Sequence, residues 1–292
     1  YQSSHPKIFM PLTPPPSKLS TRLLFLLFAF TLIWFSALGY RKLVKPDEGR
    51  YAEIPRQMLV SGDWLTPRLN NIKYFEKPAL QYWATTIAYK IGGLNETSAR
   101  IWPALTGFLG VLLSYFTCLR LFNRRVALYA AGIQSSSFLY FGMGHMLTLD
   151  MGVSFFLQLT LCCVLLAFHC DKNRGRWLAL AWAGMAGAML SKGLIGVVLP
   201  LFVLIAYSVM QRSLAFWTKL NFLTGIFIFT LLAAPWFILV AQQNPEFTHF
   251  FFIHEHFQRF SSTVHHRTGG WYYFIPILIG GLLPWSSLLC GG

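Results

Sequence analysis

The stretch Lys45-Pro46-Asp47-Glu48-Gly49-Arg50-Tyr51-Ala52-Glu53 mixes acids, bases and a phenol, and Tyr74-Phe75-Glu76-Lys77-Pro78 repeats the mixture further along. Carboxylates so placed can take a proton or orient a reacting oxygen. Arginine and lysine hold anionic groups, arginine as a planar fork and lysine as a movable point charge. A second concentration of chemistry lies near the end of the chain, where His249, His254, His256, His265 and His266 stand beside Glu246 and Glu255. Imidazole and carboxylate together suit a divalent ion. A metalloprotease helix is excluded, because Gln258 occupies the position where the pattern opened by His254-Glu255 needs its second histidine.

The elements that must position these groups are membrane helices. Of 292 residues 55% are hydrophobic and only 12% charged, against about 25% charged in ordinary globular domains. Apolar runs long enough to cross about 30 Å of hydrocarbon recur: Leu23 to Tyr40, Ile101 to Leu119, Val126 to Met143, Met151 to Phe168, Trp177 to Leu190, Leu194 to Val209, Leu220 to Val240 and Tyr272 to Cys290. The expected fold is all-α and polytopic, with about eight spans over residues 23–292. The pair from Trp177 to Met210 is the least regular and can break at Pro200, and Ala79 to Ile91 is too short and polar to span, so it is expected along the interface. Cys118, Cys162, Cys163, Cys170 and Cys290 lie in or beside spans without metal spacing and read as small packing residues.

Charge gives the sidedness. Arg120, Arg124 and Arg125, then Lys172, Arg174 and Arg176, then Arg212 and Lys219 occupy short loops, which the positive-inside rule makes cytoplasmic. The Pro-rich tail, residues 1–22, falls on the same side, and the loops 41–100 and 241–271 fall outside. Of the 10 acids, Asp47, Glu48, Glu53, Asp63, Glu76, Glu96, Asp150, Glu246 and Glu255 are then outside and Asp171 alone inside. A net charge of +14 carried in such loops is explained by orientation and anionic lipid, without nucleic acid. The run ends at Gly291 and Gly292 directly after an apolar stretch, which suggests a longer protein with further spans and a soluble domain.

The sequence Asp-Glu-Gly-Arg-Tyr-Ala-Glu from Asp47 to Glu53, just past a first span, resembles the polytopic lipid-carrier-dependent glycosyltransferases. So do Gly62-Asp63-Trp64-Leu65-Thr66-Pro67, Tyr74 to Pro78, Thr148-Leu149-Asp150, Ser191-Lys192-Gly193 and Glu255-His256-Phe257-Gln258-Arg259-Phe260. The match is to the bacterial lipid A aminoarabinose transferases first and, more widely, to the protein O-mannosyltransferases. The resemblance implies the GT-C architecture, an active site on the periplasmic face of the bacterial inner membrane, a polyprenyl-phosphate sugar donor and an extracytoplasmic acceptor such as lipid A. It implies Asp47 as base or orienting carboxylate, with Asp150 a second catalytic candidate. Arg50, Tyr51, Tyr74, Lys77, Lys192 and Arg259 become candidates for the donor phosphate. Glu76, His254 and His256 become candidate ligands of a zinc ion, and no nucleotide cofactor is expected.

Two other readings compete. A sister transferase would use the same donor chemistry on a protein or glycan hydroxyl. A transporter or flippase would put ionisable residues near the bilayer midplane, whereas the span centres here lack Asp, Glu, Lys and Arg.

Overall fold

In the computed structural model, which describes residues 21–169, 173–258 and 270–290, the chain is helical apart from one small hairpin. Helix α1 (Thr21–Ser36) is followed by α2 (Asp47–Ser61), the strands β1 (Arg68–Leu69) and β2 (Ile72–Lys73), and α3 (Leu80–Gly92). Then come α4 (Glu96–Leu121), α5 (Arg124–Ser136), α6 (Phe138–Gly144), α7 (Asp150–His169), α8 (Arg174–Lys192), α9 (Ile195–Gln211) and α10 (Phe222–Gln243). Helix α11 (Glu246–Thr248) continues as a π-helix over His249–Gln258, and the last α-helix covers Phe274–Gly281; a 3-10 helix follows at Trp285–Cys290, so the run Tyr272 to Cys290 is not one helix. By length and composition α4, α7 and α10 can cross a membrane, and α1 and α9 are shorter apolar helices.

Local sequence explains several boundaries. Asn95 and Asn123 cap α4 and α5, their side-chain oxygens accepting from Ser98 N at 2.8 Å and from Arg125 N at 2.9 Å. The run Val126 to Met143 is not one helix but α5 and α6, broken at Ser137, whose backbone is extended. Ser136 and Ser137 donate to the carbonyls of Gly132 and Ile133, so local side-chain bonds compete with the helical ladder there. Pro200, in contrast, lies inside α9 without ending it, and the turn between α8 and α9 falls at Gly193, where φ is +89°. The hairpin turns on Asn70 and Asn71, both at positive φ, a conformation asparagine tolerates better than most residues.

Close packing without ions joins the bundle. Trp34 is 1% exposed and donates its indole N–H to Ala104 O at 2.8 Å, while a Cβ at Gly107 or Gly144 would meet its ring at 2.9 Å or 2.8 Å. Both positions must therefore lack a side chain for α4 and α6 to close on α1. Between α4, α5 and α7 the bonds are neutral: Gln134 Nε2 donates to Gln158 Oε1 at 3.1 Å, and Gln158 Nε2 to Ser114 Oγ at 2.7 Å. Such side-chain bonds join helices inside a bilayer. Helix α3 is not among the candidate spans, and its polar residues Gln81, Thr85 and Thr86 are buried against protein.

One ion pair gathers the end of the bundle that carries the acids. Glu48, in the first turn of α2, is 1% exposed. Its Oε1 accepts from Arg100 Nε at 2.8 Å and Leu147 N at 2.9 Å, and its Oε2 from Arg41 Nη1 at 2.7 Å, Val44 N at 2.8 Å and Arg100 Nη2 at 3.0 Å. Arg100 in turn donates to the carbonyls of Leu38, Arg41 and Lys42. The segment after α1, the start of α2, the first turn of α4 and the approach to α7 thus meet at one carboxylate. Burial opposes its ionisation, but the Arg100 fork, the Leu147 and Val44 amides and Arg41 together hold its pKa at about 2.

Because that pKa lies below the ordinary 4.5, the stability Glu48 contributes is present above pH 4.5 and is lost as pH falls toward 2. Arg100→Leu leaves the carboxylate buried with its strongest partner gone and is expected to cost about 3–5 kcal/mol, read as a lower Tm in detergent. A melting curve unchanged from wild type would show that the pair does not hold the fold.

Candidate functional site

The two neighbouring acids of α2 have opposite environments. Glu48 points into the protein, whereas the Asp47 side chain is 59% exposed and faces the Arg50 guanidinium, Oδ1 to Nη2 at 3.1 Å, one helical turn on. Arg50 Nη1 donates to Tyr74 Oη at 3.3 Å, and Tyr74 Oη donates to Glu76 Oε2 at 2.8 Å. The guanidinium also stands 5.7 Å from the centre of the Tyr51 ring, which stacks on Tyr82 at 6.4 Å. Acid, guanidinium, phenol and acid therefore form one connected array.

The loop that supplies Tyr74 and Glu76 is fixed by its own sequence. Gly62 ends α2 in the left-handed conformation, and Asp63 Oδ1 accepts from Leu65 N at 3.0 Å and Thr66 N at 3.1 Å, closing a side-chain turn. The carbonyls of Trp64 and Leu65 accept from the indoles of Trp83 and Trp236, and Asn244 Nδ2 donates to Thr66 Oγ1. The segment 62–67 is thus stapled to α3 and α10.

Burial dominates the phenols. It pushes Tyr51 up to about 12, with Asp47, Asp150 and Glu76 adding to the rise and Arg50 opposing it. Tyr74 and Tyr82 are raised by burial as well. All three remain neutral hydrogen-bond donors near neutral pH. Asp150 opens α7 and Lys192 closes α8, and the two side chains form an ion pair. The charge of Asp150 adds to the rise of Tyr51, which couples this pair electrostatically to the array.

Lys77 is engaged across the loops. Its Nζ donates to Glu76 O at 2.9 Å and to Glu255 Oε2 at 3.3 Å, with the side chains 15% and 5% exposed. Beneath it Phe75, Ala79, Trp236, Phe247 and Phe251 pack as one apolar cluster, so the 74–78 turn is docked on the π-helix. An apolar cavity of about 640 Å³ lies between α5, α6, α7 and the last helix, with Asp150 among the polar groups on its wall.

Of the expected site residues, Asp47, Arg50, Tyr51, Tyr74 and Glu76 come together, Asp150 and Lys192 pair beside them, and Lys77 is tied to Glu255. Arg259 and the side chain of His256 lie outside the described residues, as do the tail residues 1–20. Of the expected zinc ligands that are described, Glu76 accepts from Tyr74, and the His254 ring stacks on Phe250 at 5.0 Å. Among the described residues no three His, Cys, Asp or Glu side chains are grouped to hold a metal ion. Sequence reasoning missed Arg100 and Tyr82. The signal for Arg100 was a lone arginine at the mouth of an otherwise apolar span.

The chain is similar to proteins of one family. The family model described as dolichyl-phosphate-mannose-protein mannosyltransferase matches residues 19–251. The undecaprenyl phosphate-alpha-4-amino-4-deoxy-L-arabinose arabinosyl transferase of Erwinia tasmaniensis is 36% identical over 277 residues, 92% of this chain and 49% of the relative. A second such transferase, from Proteus mirabilis, is 34% identical and covers 94% and 50%. The crystal structure of ArnT from Cupriavidus metallidurans bound to undecaprenyl phosphate superposes with a TM-score of 0.89 at 40% identity, over 94% of this chain and 51% of that one. The chain spans about half the length of the curated relatives it matches.

Removing Lys77 should loosen one element and not the rest. In Lys77→Met, amide hydrogen exchange over 249–258 is expected to quicken roughly tenfold, as loss of a largely buried charge-assisted bond implies, while α4 and α7 exchange as in wild type. Unchanged exchange there would show that the pair does not dock the turn.

Proposed function

The chain belongs to the dolichyl-phosphate-mannose-protein mannosyltransferase family, and on that footing we propose that it carries the catalytic membrane region of a glycosyltransferase using a polyprenyl-phosphate sugar. The preferred donor is aminoarabinose carried on a polyprenyl phosphate, after the relatives named above, and the preferred acceptor is a lipid A phosphate, as the sequence resemblance implies. The observation that carries the reading is the connected array Asp47, Arg50, Tyr74 and Glu76 beside the Asp150–Lys192 pair, at the same end of the bundle.

In this reading an acceptor oxygen attacks the anomeric carbon as the bond from that carbon to the donor phosphate breaks. The bonding electrons leave with the polyprenyl phosphate, and a single displacement inverts the centre. Charge grows on the departing phosphate, so preorganised cations matter most there. Arg50 offers a fork, Lys192 and Lys77 offer point charges, and each is now held by a carboxylate that the phosphate would replace. Taking Arg50 onto the phosphate frees Asp47 to act on the acceptor. With a phosphate acceptor, already ionised, Asp47 orients it; with a hydroxyl it removes the proton. Tyr51, kept neutral by burial, donates a hydrogen bond to sugar or phosphate, and Tyr74 does so by turning its one proton away from Glu76. A zinc ion has no step in this scheme. The apolar cavity reaching Asp150 offers space for an apolar tail.

A protein or glycan hydroxyl as acceptor is the second reading, favoured by the family description. Transport is disfavoured by the neutral network of Ser114, Gln134 and Gln158, where a coupled transporter would place ions. The proposed setting is the bacterial inner membrane, with the N-terminus cytoplasmic and the site periplasmic.

Full-length protein in membranes, given polyprenyl-phosphate aminoarabinose and lipid A, is expected to add the sugar's mass to lipid A. Absence of a shift, with a shift on a protein hydroxyl substrate instead, would replace the acceptor; absence of both would end the transferase reading. Arg50→Lys, which keeps the charge and loses the fork, is expected to lower kcat/KM about 10- to 100-fold; an unchanged value would take Arg50 off the phosphate. Cysteines introduced near Arg124 and near Asp63 should label from opposite sides, and labelling from one side would overturn the orientation.

A further inference from the structure

Behind the Asp150–Lys192 pair, α3, α4, α7 and α8 converge on a point with no side chain. Gly152 is two residues beyond Asp150, and a Cβ built there would stand 3.2 Å from Trp102 Nε1, 3.6 Å from Gln81 Oε1 and 3.9 Å from Ser191 Oγ. Gln81 is 1% exposed and Ser191 2%. Neither polar atom of the Gln81 amide, nor the Trp102 indole N–H, has a hydrogen-bond partner among the described residues. Ser191 donates to Gly187 O at 2.7 Å, which leaves its oxygen able to accept. Thr85, one turn after Gln81 on the same face of α3, is also buried with an unpartnered hydroxyl.

Buried polar atoms are paired in the great majority of cases, and a cluster of unpaired ones calls for a ligand. The three atoms that face Gly152 are one N–H donor and two oxygen acceptors, all uncharged. Water, with one lone pair turned to the indole and two protons for the two oxygens, matches them one for one. A sugar hydroxyl has a single proton and would leave one oxygen unmet. A cation would be repelled by the indole N–H and an anion by the two oxygens.

We propose that Gly152, Gln81, Trp102 and Ser191 form a binding site for one resident water that fixes the first turn of α7 to the last turn of α8, and so positions Asp150 and Lys192. The water would bond to three elements at once, α3 through Gln81, α4 through Trp102 and α8 through Ser191, while Gly152 of α7 leaves it room. Ser191 directly precedes Lys192, so any shift of this point is passed to both members of the ion pair. These are positioning residues and touch neither donor nor acceptor.

The test uses the full-length protein and the vibrational signature of one indole. The Raman difference between wild type and Trp102→Phe isolates Trp102, whose N–H is expected to be hydrogen-bonded without donor and free in Gly152→Ala, where a methyl takes the place of the water. A free N–H in donor-free wild type overturns the proposal, and bonding that appears only when donor is added overturns it in favour of a sugar hydroxyl. This arm is independent of the transferase reading, which wild-type turnover tests separately. Where turnover is measured, the proposal rests on that reading: Gly152→Ala should lower kcat roughly tenfold or more, as for slight misplacement of catalytic groups, with the donor KM unchanged. Gln81→Met, close in volume and without an amide, should reproduce that split if Gly152→Ala folds poorly, and a wild-type kcat in the folded variant overturns the positioning role.

Discussion

A carboxylate taken out of water inside a membrane protein survives as an ion only if it is surrounded by donors, and Glu48 is so surrounded by two arginines and two backbone amides. Everything at this end of the bundle is referred to that point. Arg100 brings the first turn of α4 and the carbonyls after α1, and the Leu147 amide brings the approach to α7. Once α2 is pinned through Glu48, the preceding residue has no room inward. Asp47 must face the loop side, where Arg50 follows one turn later. The buried acid thus decides the direction of the exposed one.

Every cation in the array beyond Asp47 is paired with a carboxylate. Arg50 leans on Asp47, Lys192 on Asp150 and Lys77 on Glu255. Each cation is thereby kept ordered by a carboxylate, and in the proposed reaction the phosphate takes that carboxylate's place. The phenols contribute differently. Burial keeps Tyr51 and Tyr74 protonated, so they offer directed donors that carry no charge. The proposed chemistry needs both kinds of group, since the leaving phosphate is anionic and the sugar is neutral.

Much of this was legible from residues. Apolar runs gave most of the helices, though Val126 to Met143 and Tyr272 to Cys290 are each broken, and the clustering of acids in two loops pointed to the candidate site. The motif around Asp47 and Tyr74 gave the residues that the fold brings together. What could not be read was the partner of each charge. Nothing in the adjacency of Asp47 and Glu48 says which is buried; that depends on Arg100, 52 positions away from Glu48. The break at Ser137 was hidden because its cause is a set of side-chain bonds inside an apolar-looking run. Nor could composition show that the glutamine and threonines of α3 face other helices. For the zinc site, expected from histidine density and from the resemblance, sequence says how many ligands are near and not whether they converge, and no group of three forms among the described residues.

The central claim is that adjacent acids divide the work, Glu48 holding the fold and Asp47 acting on the acceptor. The direct measurement is turnover and Tm on the same membrane preparations of full-length Asp47→Asn and Glu48→Gln. Asp47→Asn should abolish transfer while melting with wild type, and Glu48→Gln should melt several degrees lower and lose activity in step with its loss of folded protein. Transfer retained in Asp47→Asn, or a Glu48→Gln protein that melts with wild type, would contradict the account.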